Sequence, residues 1–62
     1  MDKLLWYAYR HELGSIHVKR YFDVRDIRET RESDFVRRVE GPFEADTRDE
    51  ALVIAVKLLT GV

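Results

Sequence analysis

The stretch that decides the fold is residues 47–61, which read TRDEALVIAVKLLTG. Thr47 is a typical N-cap residue, and Glu50 stands three positions later, where a capping box requires a carboxylate or amide side chain. Gly61 is a typical C-terminal cap. Between these signals the apolar side chains recur at helical spacing, which predicts a C-terminal helix.

This predicted helix is apolar over more of its circumference than one sheet covers. An ordinary surface helix has an apolar stripe about 100° wide, whereas this one spans roughly 200°. We expect the centre of the stripe to face the sheet, and that centre comprises Leu52, Ala55, Val56 and Leu59. The side chains left over are Val53, Ile54 and Leu58. Large exposed apolar patches mark interaction sites, so we predict that these three residues form a protein interface.

Two segments rich in aromatic residues predict a β-hairpin, with strands over residues 4–10 and 16–22. A three-residue loop with glycine at its last position fits residues 12–14, and this loop pairs Tyr9 with His17. Because side chains alternate across a strand, the register gives a core face and an outer face. The core face carries Leu4, Trp6, Ala8, Ile16, Val18 and Phe22, with Arg10 and Arg20 among them. The outer face carries the candidate binding residues Tyr7, Tyr9, His17, Lys19 and Tyr21.

Charged side chains dominate residues 23–34, where the two apolar residues are three positions apart. This pattern predicts a short solvated helix or a structured loop, with Asp23 as the N-cap. Residues 35–45 predict a third strand, with Phe35, Val39 and Phe43 in phase. Gly41-Pro42 predicts a bulge or an edge position, because proline cannot donate to a ladder. The predicted fold class is α+β: a three-stranded antiparallel sheet, in the order β-β-short α-β-α, with the C-terminal helix packed on one face.

Length and composition limit the class of protein. The 62 residues form one small domain, residues 1–62, and a core of this size supplies only ~3–5 kcal/mol without a disulfide, a metal or oligomerisation. The absence of cysteine excludes disulfides and thiolate metal sites, so we expect a homodimer. No apolar run is long enough to span a membrane, and the N-terminus lacks the layout of a signal peptide, so we expect a cytoplasmic protein with no membrane partner.

The outer face allows three interpretations. Aromatic and basic side chains on an open sheet can stack nucleobases, tyrosine is also favoured in protein interfaces, and the same residues can form ordinary cross-strand pairs. The candidate nucleic-acid contacts are Arg25, Arg28 and Arg31, at intervals of three, together with Arg37 and Arg38. Acidic residues at the same spacing offset them, and the net charge is −1, whereas nucleic-acid-binding domains usually carry a basic excess.

Signals for catalysis or for a cofactor are weak in this sequence. His11 and His17 share a face, with Glu12 nearby, but lack a clear third ligand, so we expect no metal. No set of titratable residues predicts a catalytic pocket, and the three glycines form no phosphate-binding pattern. We therefore expect a non-enzymatic protein-binding module without a cofactor, acting on a protein partner. The alternative is a nucleic-acid-binding domain.

Four segments carry a resemblance: WYAYR at 6–10, IHVKRYF at 16–22, GPFEA at 41–45 and RDEAL at 48–52. In style the chain resembles short uncharacterised proteins of phages and other bacterial mobile elements, over most of its length. This resemblance implies a cytoplasmic protein that acts by binding, as an inhibitor or accessory of a host machine such as a defence system. Strands followed by one helix also resemble the arm-type DNA-binding domains of tyrosine recombinases, which bind DNA through a basic sheet, whereas the outer face here carries mostly Tyr and His.

Overall fold

The computed structural model describes residues 4–60, which form three strands and two helices. In chain order these elements are β1 (Leu4–His11), β2 (Ile16–Arg20), α1 (Val24–Arg31), β3 (Val36–Ala45) and α2 (Arg48–Thr60). The strands form one antiparallel sheet in the order β2-β1-β3. The predicted α+β architecture is confirmed, and the charged segment contains a helix.

The hairpin between β1 and β2 has the predicted loop and register. The His11 amide donates to the Ser15 carbonyl at 2.8 Å, and the Gly14 amide donates to the His11 carbonyl at 2.8 Å. Gly14 has φ +95°, the left-handed conformation that this loop requires. Tyr9 lies opposite His17, as predicted. Local turn chemistry therefore determines the pairing of the first two strands.

Strand β2 ends at Arg20, two residues earlier than predicted, because the Asp26 carboxylate accepts hydrogen bonds from the backbone amides beyond the strand. The amides of Phe22 and Asp23 donate to Asp26 Oδ2 at 2.9 and 3.0 Å. The Asp23 side chain in turn accepts from the Arg25 amide at 3.1 Å and acts as the N-cap of α1. These bonds direct the chain out of the sheet and into the helix.

Strand β3 is both an edge strand and a bulged strand, so the Gly41-Pro42 prediction is confirmed in both its forms. Trp6 lies opposite Phe43 but Ala8 lies opposite Glu40, so β3 has one more residue than β1 across this interval. The bulge changes which face the following side chains occupy.

The predicted common phase of Phe35, Val39 and Phe43 is therefore wrong. Phe43 lies opposite Trp6, on the core face, whereas Val39 lies opposite Tyr9, on the other face. A period of four places side chains on one face only while the pairing is regular, and the bulge between these residues breaks that regularity.

The two helices lie on opposite faces of the sheet. Helix α2 covers the predicted core face, where Trp6, Ala8 and Val18 are buried. Helix α1 covers the other face, where Thr30 Oγ1 donates to the Tyr7 hydroxyl at 3.3 Å. Tyr7 is only 5% exposed, so the predicted open outer face is wrong at this residue. No feature of the sequence indicated which face of the sheet the short helix covers.

Helix α2 is rotated relative to the predicted orientation. The residues that it buries are Ala51, Ala55 and Leu59, and Ile54 is partly buried against the same core. Leu52 and Val56, which were expected at the centre of the contact, are exposed. The cause is close packing through small side chains: Ala8, Ala45, Ala51 and Ala55 are all fully buried where helix and sheet meet. Leu59 is the one large side chain among the buried residues of α2, and Leu52 and Val56 lie on the flank of the contact.

The start of α2 is capped as predicted. Thr47 Oγ1 accepts from the Glu50 amide at 3.2 Å, and the Glu50 carboxylate accepts from the Asp46 amide at 3.4 Å rather than from the amide of Thr47. The predicted cap at Gly61 lies outside residues 4–60. Within those residues neither helix combines the length and apolarity needed to cross a membrane.

Candidate interaction surfaces

Three exposed apolar side chains form a patch on one side of α2. Leu52, Val53 and Val56 are 41%, 57% and 41% exposed, and at about 100° per residue they lie next to one another on the helix surface. We call these three residues the α2 patch. Helix α1 lies on the other face of the sheet, so it does not cover this patch.

The three predicted interface residues occupy different environments. Val53 belongs to the α2 patch. Ile54 is partly buried against the core, next to Ile16 and Phe43 in the same cluster. Leu58 is exposed but lies on the opposite flank of α2 from the patch. Only one of the three therefore belongs to the α2 patch. The other two patch residues are Leu52 and Val56, which the predicted helix orientation had assigned to the core.

Charged residues border the α2 patch at both ends. Asp49 and Glu50 lie in the first turn of α2, and Lys57 lies in the last. Helical geometry places Asp49 and Lys57 beside Val53, one toward each end of the helix. The patch therefore has an acidic end and a basic end.

The candidate binding residues of the outer face contact one another in two groups. The rings of Tyr9 and His17 stack with centroids 5.2 Å apart, and Lys19 Nζ lies 5.9 Å from the centre of the Tyr9 ring. Tyr7 and Tyr21 meet edge to face at 6.5 Å. Such cross-strand pairs stabilise a sheet. The aromatic faces are thus already occupied in part by each other.

The two histidines have separate hydrogen-bonding partners. His11 Nδ1 accepts from the Leu13 amide at 3.2 Å, and its ring stacks on Phe35 at 5.9 Å. His17 Nε2 lies 3.1 Å from Ser15 Oγ. Within residues 4–60 no group of three or more His, Asp or Glu side chains could hold a metal ion.

Four of the five candidate arginines line two concavities, one between α1 and β3 and one along α1 itself. These adjoining concavities, of about 290 and 260 Å³, share Arg31. The basic residues that line them are Arg28 and Arg31 from α1 and Arg37 and Arg38 from β3. The apolar lining is Val24, Ile27, Val36 and Val39, and Glu32 completes it. We call this feature the α1–β3 trough.

The fifth candidate arginine lies outside the trough. Arg25 is exposed and its guanidinium lies 3.9 Å from the Asp23 carboxylate. Arg25 was predicted together with Arg28 and Arg31 only because the three lie at intervals of three residues. The apolar residues of the trough were not predicted as part of a site. Helical spacing alone places Val24, Ile27, Arg28 and Arg31 on one side of α1.

Ion pairs divide the trough arginines into two classes. Arg38 is 2.7 Å from Glu40, and Arg37 is 3.5 Å from Glu12. Neither Arg28 nor Arg31 has a carboxylate within 4.0 Å among residues 4–60. On the α1 side of the trough, the positive charges of Arg28 and Arg31 are therefore not neutralised by any carboxylate of residues 4–60.

Arg20 makes cation–π contacts that were not predicted from the sequence. The Arg20 guanidinium lies 5.5 Å from the Trp6 ring and 5.2 Å from the Phe22 ring. Trp6 is itself fixed by its indole N–H, which donates to the Ala45 carbonyl at 3.0 Å. The alternation of the strand placed Arg20 on the core face, where its charge is accommodated by these aromatic rings.

Comparisons of the chain with protein-family models, with curated proteins and with solved structures found no match. Function is therefore inferred from the two surfaces described above, the α2 patch and the α1–β3 trough. One is apolar with charged ends, and the other is basic with an apolar floor.

Proposed function

We propose that this protein is a small non-enzymatic protein-binding module and that the α2 patch is its docking surface. The observation that supports this proposal is the exposure of Leu52, Val53 and Val56 together, on a helix whose opposite side already covers the sheet. Removing apolar surface from water stabilises by roughly 25 cal/mol per Å². A partner that covers these side chains therefore gains binding free energy.

The occupant of the α2 patch in this proposal is a second copy of the chain. A domain of this size gains from any association that enlarges its apolar core. If two α2 helices pair in antiparallel fashion about a two-fold axis, Asp49 of each copy lies near Lys57 of the other. Such an interface uses the same patch twice, and the acidic and basic ends of the patch complement each other.

The dimer would act on a further protein in the cytoplasm. In this proposal the further partner belongs to a bacterial host machine such as a defence system, which is what the resemblance in style to short phage and mobile-element proteins implies. The aromatic outer face and the α1–β3 trough remain accessible in a dimer formed through α2, because both lie on the other side of the sheet.

Nucleic-acid binding through the outer face has less support. Tyr7 is buried beneath α1, and Tyr9 is stacked on His17, so few ring faces are free for bases. Phosphate neutralisation provides most non-specific affinity, yet the net charge of the chain is −1.

Charge substitution in the α2 patch tests the proposal. We expect the double variant Val53→Glu with Val56→Glu to keep the circular dichroism spectrum of the wild type but to lose association in light-scattering size measurements. The matched control is Leu13→Glu, a substitution in the hairpin loop at a residue that is 84% exposed, which should associate as the wild type does. Substituting Ile54 would be uninformative, since its side chain contributes to the core. An unchanged mass for the double variant would refute the assignment of the patch.

A further inference from the structure

The α1–β3 trough is a second surface, independent of the α2 patch. We infer that it binds an acidic, extended segment of a partner protein, which adds a strand to the free edge of β3. This inference does not depend on dimerisation through α2. It rests on three properties of the trough: a strand edge without a neighbouring strand, an apolar floor, and arginines without a paired carboxylate, the two absences being stated for residues 4–60.

The strand edge supplies the backbone hydrogen bonds. In the sheet order β2-β1-β3, one side of β3 has no neighbouring strand within residues 4–60. Alternate N–H and C=O groups along such an edge are available to another chain. Pro42 has no N–H and follows the bulge at Gly41, and the pairing is irregular again between Val36 and Arg38. The Val36 amide already donates to the Ser33 carbonyl at 3.2 Å. The regular part of the edge is therefore short, residues 38–40. An extended peptide that pairs there follows a known mode of peptide recognition.

The apolar floor supplies contacts for alternate side chains of the incoming strand. Val36 and Val39 are partly buried on the β3 side of the trough, and Ile27 is partly buried on the α1 side. Val24 is exposed beside them. Because alternate side chains of a strand point to the same face, a segment with an apolar residue at every second position fits this floor.

The arginines determine the charge of the segment. Arg28 and Arg31 lie on exposed positions of α1 and pair with no carboxylate within residues 4–60. A guanidinium accepts a carboxylate in a two-pronged hydrogen bond. Arg37 and Arg38 already pair with Glu12 and Glu40, which leaves too few cations for a nucleic-acid backbone and enough for a short acidic peptide.

The test uses a fluorescein-labelled peptide of about eight residues, with alternating Glu and Val, and fluorescence anisotropy at low salt. We expect saturable binding to the wild-type protein. The double variant Arg28→Gln with Arg31→Gln should weaken binding about tenfold or more, because charge-assisted hydrogen bonds are lost. Arg25→Gln with Arg48→Gln is the matched control, since it removes the same charge at exposed positions outside the trough, and it should bind as the wild type does. Absence of binding, or equal loss in the control, would overturn the inference.

Two further probes distinguish the alternatives. A peptide N-methylated at every residue has no N–H to donate to the edge of β3, and we expect it to bind at least tenfold more weakly; equal binding would disprove strand addition. A single-stranded oligonucleotide that bound more tightly than the peptide, and lost affinity in the Arg28 and Arg31 variant, would assign the trough to nucleic acid instead. The Val53→Glu, Val56→Glu variant should still bind the peptide, so a failure of the dimer proposal would leave this result unchanged.

Discussion

At the scale of single residues, Gly41 has the strictest steric requirement in the described chain. Its φ is +132°, and a Cβ atom added there would lie 3.0 Å from both Cα and Cβ of Tyr7. We predict that Gly41→Ala lowers the free energy of unfolding by about 1–3 kcal/mol, measured by urea denaturation. Gly14→Ala is the control, because Gly14 also has a positive φ but nothing lies within 4 Å of the added atom. A larger loss at Gly14 than at Gly41 would contradict the close contact with Tyr7.

A second residue-scale prediction concerns Asp26 and acid. Hydrogen bonds from the amides of Phe22 and Asp23 lower the pKa of the Asp26 carboxyl below its ordinary value. Since the folded pKa is depressed, the stabilisation of the α1 start is present above the ordinary pKa of about 3.9 and is lost as pH falls through the lower folded value. An NMR titration should give a midpoint for Asp26 below that of an unfolded aspartate.

The variant Asp26→Ala, which removes the accepting oxygen, serves as the control for this titration. In the variant, the amides of Phe22 and Asp23 should lack hydrogen-exchange protection already at neutral pH. In the wild type, the same two amides should lose this protection only in acid. A normal or raised midpoint for Asp26 in the wild type would show that these two amides do not bind its carboxylate.

At the scale of elements, the contact between α2 and the sheet depends on small side chains. Ala51 and Ala55 meet Ala8 and Ala45 with no exposed surface left. We predict that Ala55→Leu destabilises the fold by about 1–3 kcal/mol through overpacking, measured by thermal unfolding at low protein concentration. Val53→Leu enlarges an exposed position of the same helix and should change stability little. Equal effects of the two substitutions would mean that α2 does not approach the sheet through its alanines.

The same element shows where sequence reasoning succeeds and where it fails. Thr47, Glu50 and Gly14 act through bonds to residues a few positions away, so the helix start and the hairpin register could be predicted. Ala55 and Leu59 were predicted correctly in the centre of the contact. The rotation of α2 could not be predicted, because wheel geometry also placed Leu52 and Val56 there, whereas the structure buries Ala51 instead. Likewise, nothing near Tyr7 in the sequence shows that Thr30 will cover it.

The candidate sites follow the same division. Val53 was predicted as exposed from its position on the wheel, and the arginines were predicted from their spacing. The trough itself could not be predicted, since it brings Arg31 beside Val36 and Val39 only after α1 folds back onto β3. Spacing within a helix is local information, but the face of the sheet that a helix covers is decided by the packing of the whole chain.

At the scale of the whole molecule, the two helices cover opposite faces of one sheet, and α2 exposes apolar side chains beyond those that the sheet covers. In the proposed dimer, a second copy covers Leu52, Val53 and Val56. The α1–β3 trough on the opposite side is then left free for another partner. A single small domain would thus combine self-association and peptide binding on separate surfaces.

Sedimentation equilibrium of the wild-type protein over a concentration series tests this claim most directly. The chain has a mass of 7.4 kDa, and the account predicts that the apparent mass rises toward twice this value with increasing concentration. It also predicts that the rise is absent in the Val53→Glu, Val56→Glu variant. A wild-type mass that stays at that of one chain up to high micromolar concentration would contradict the claim.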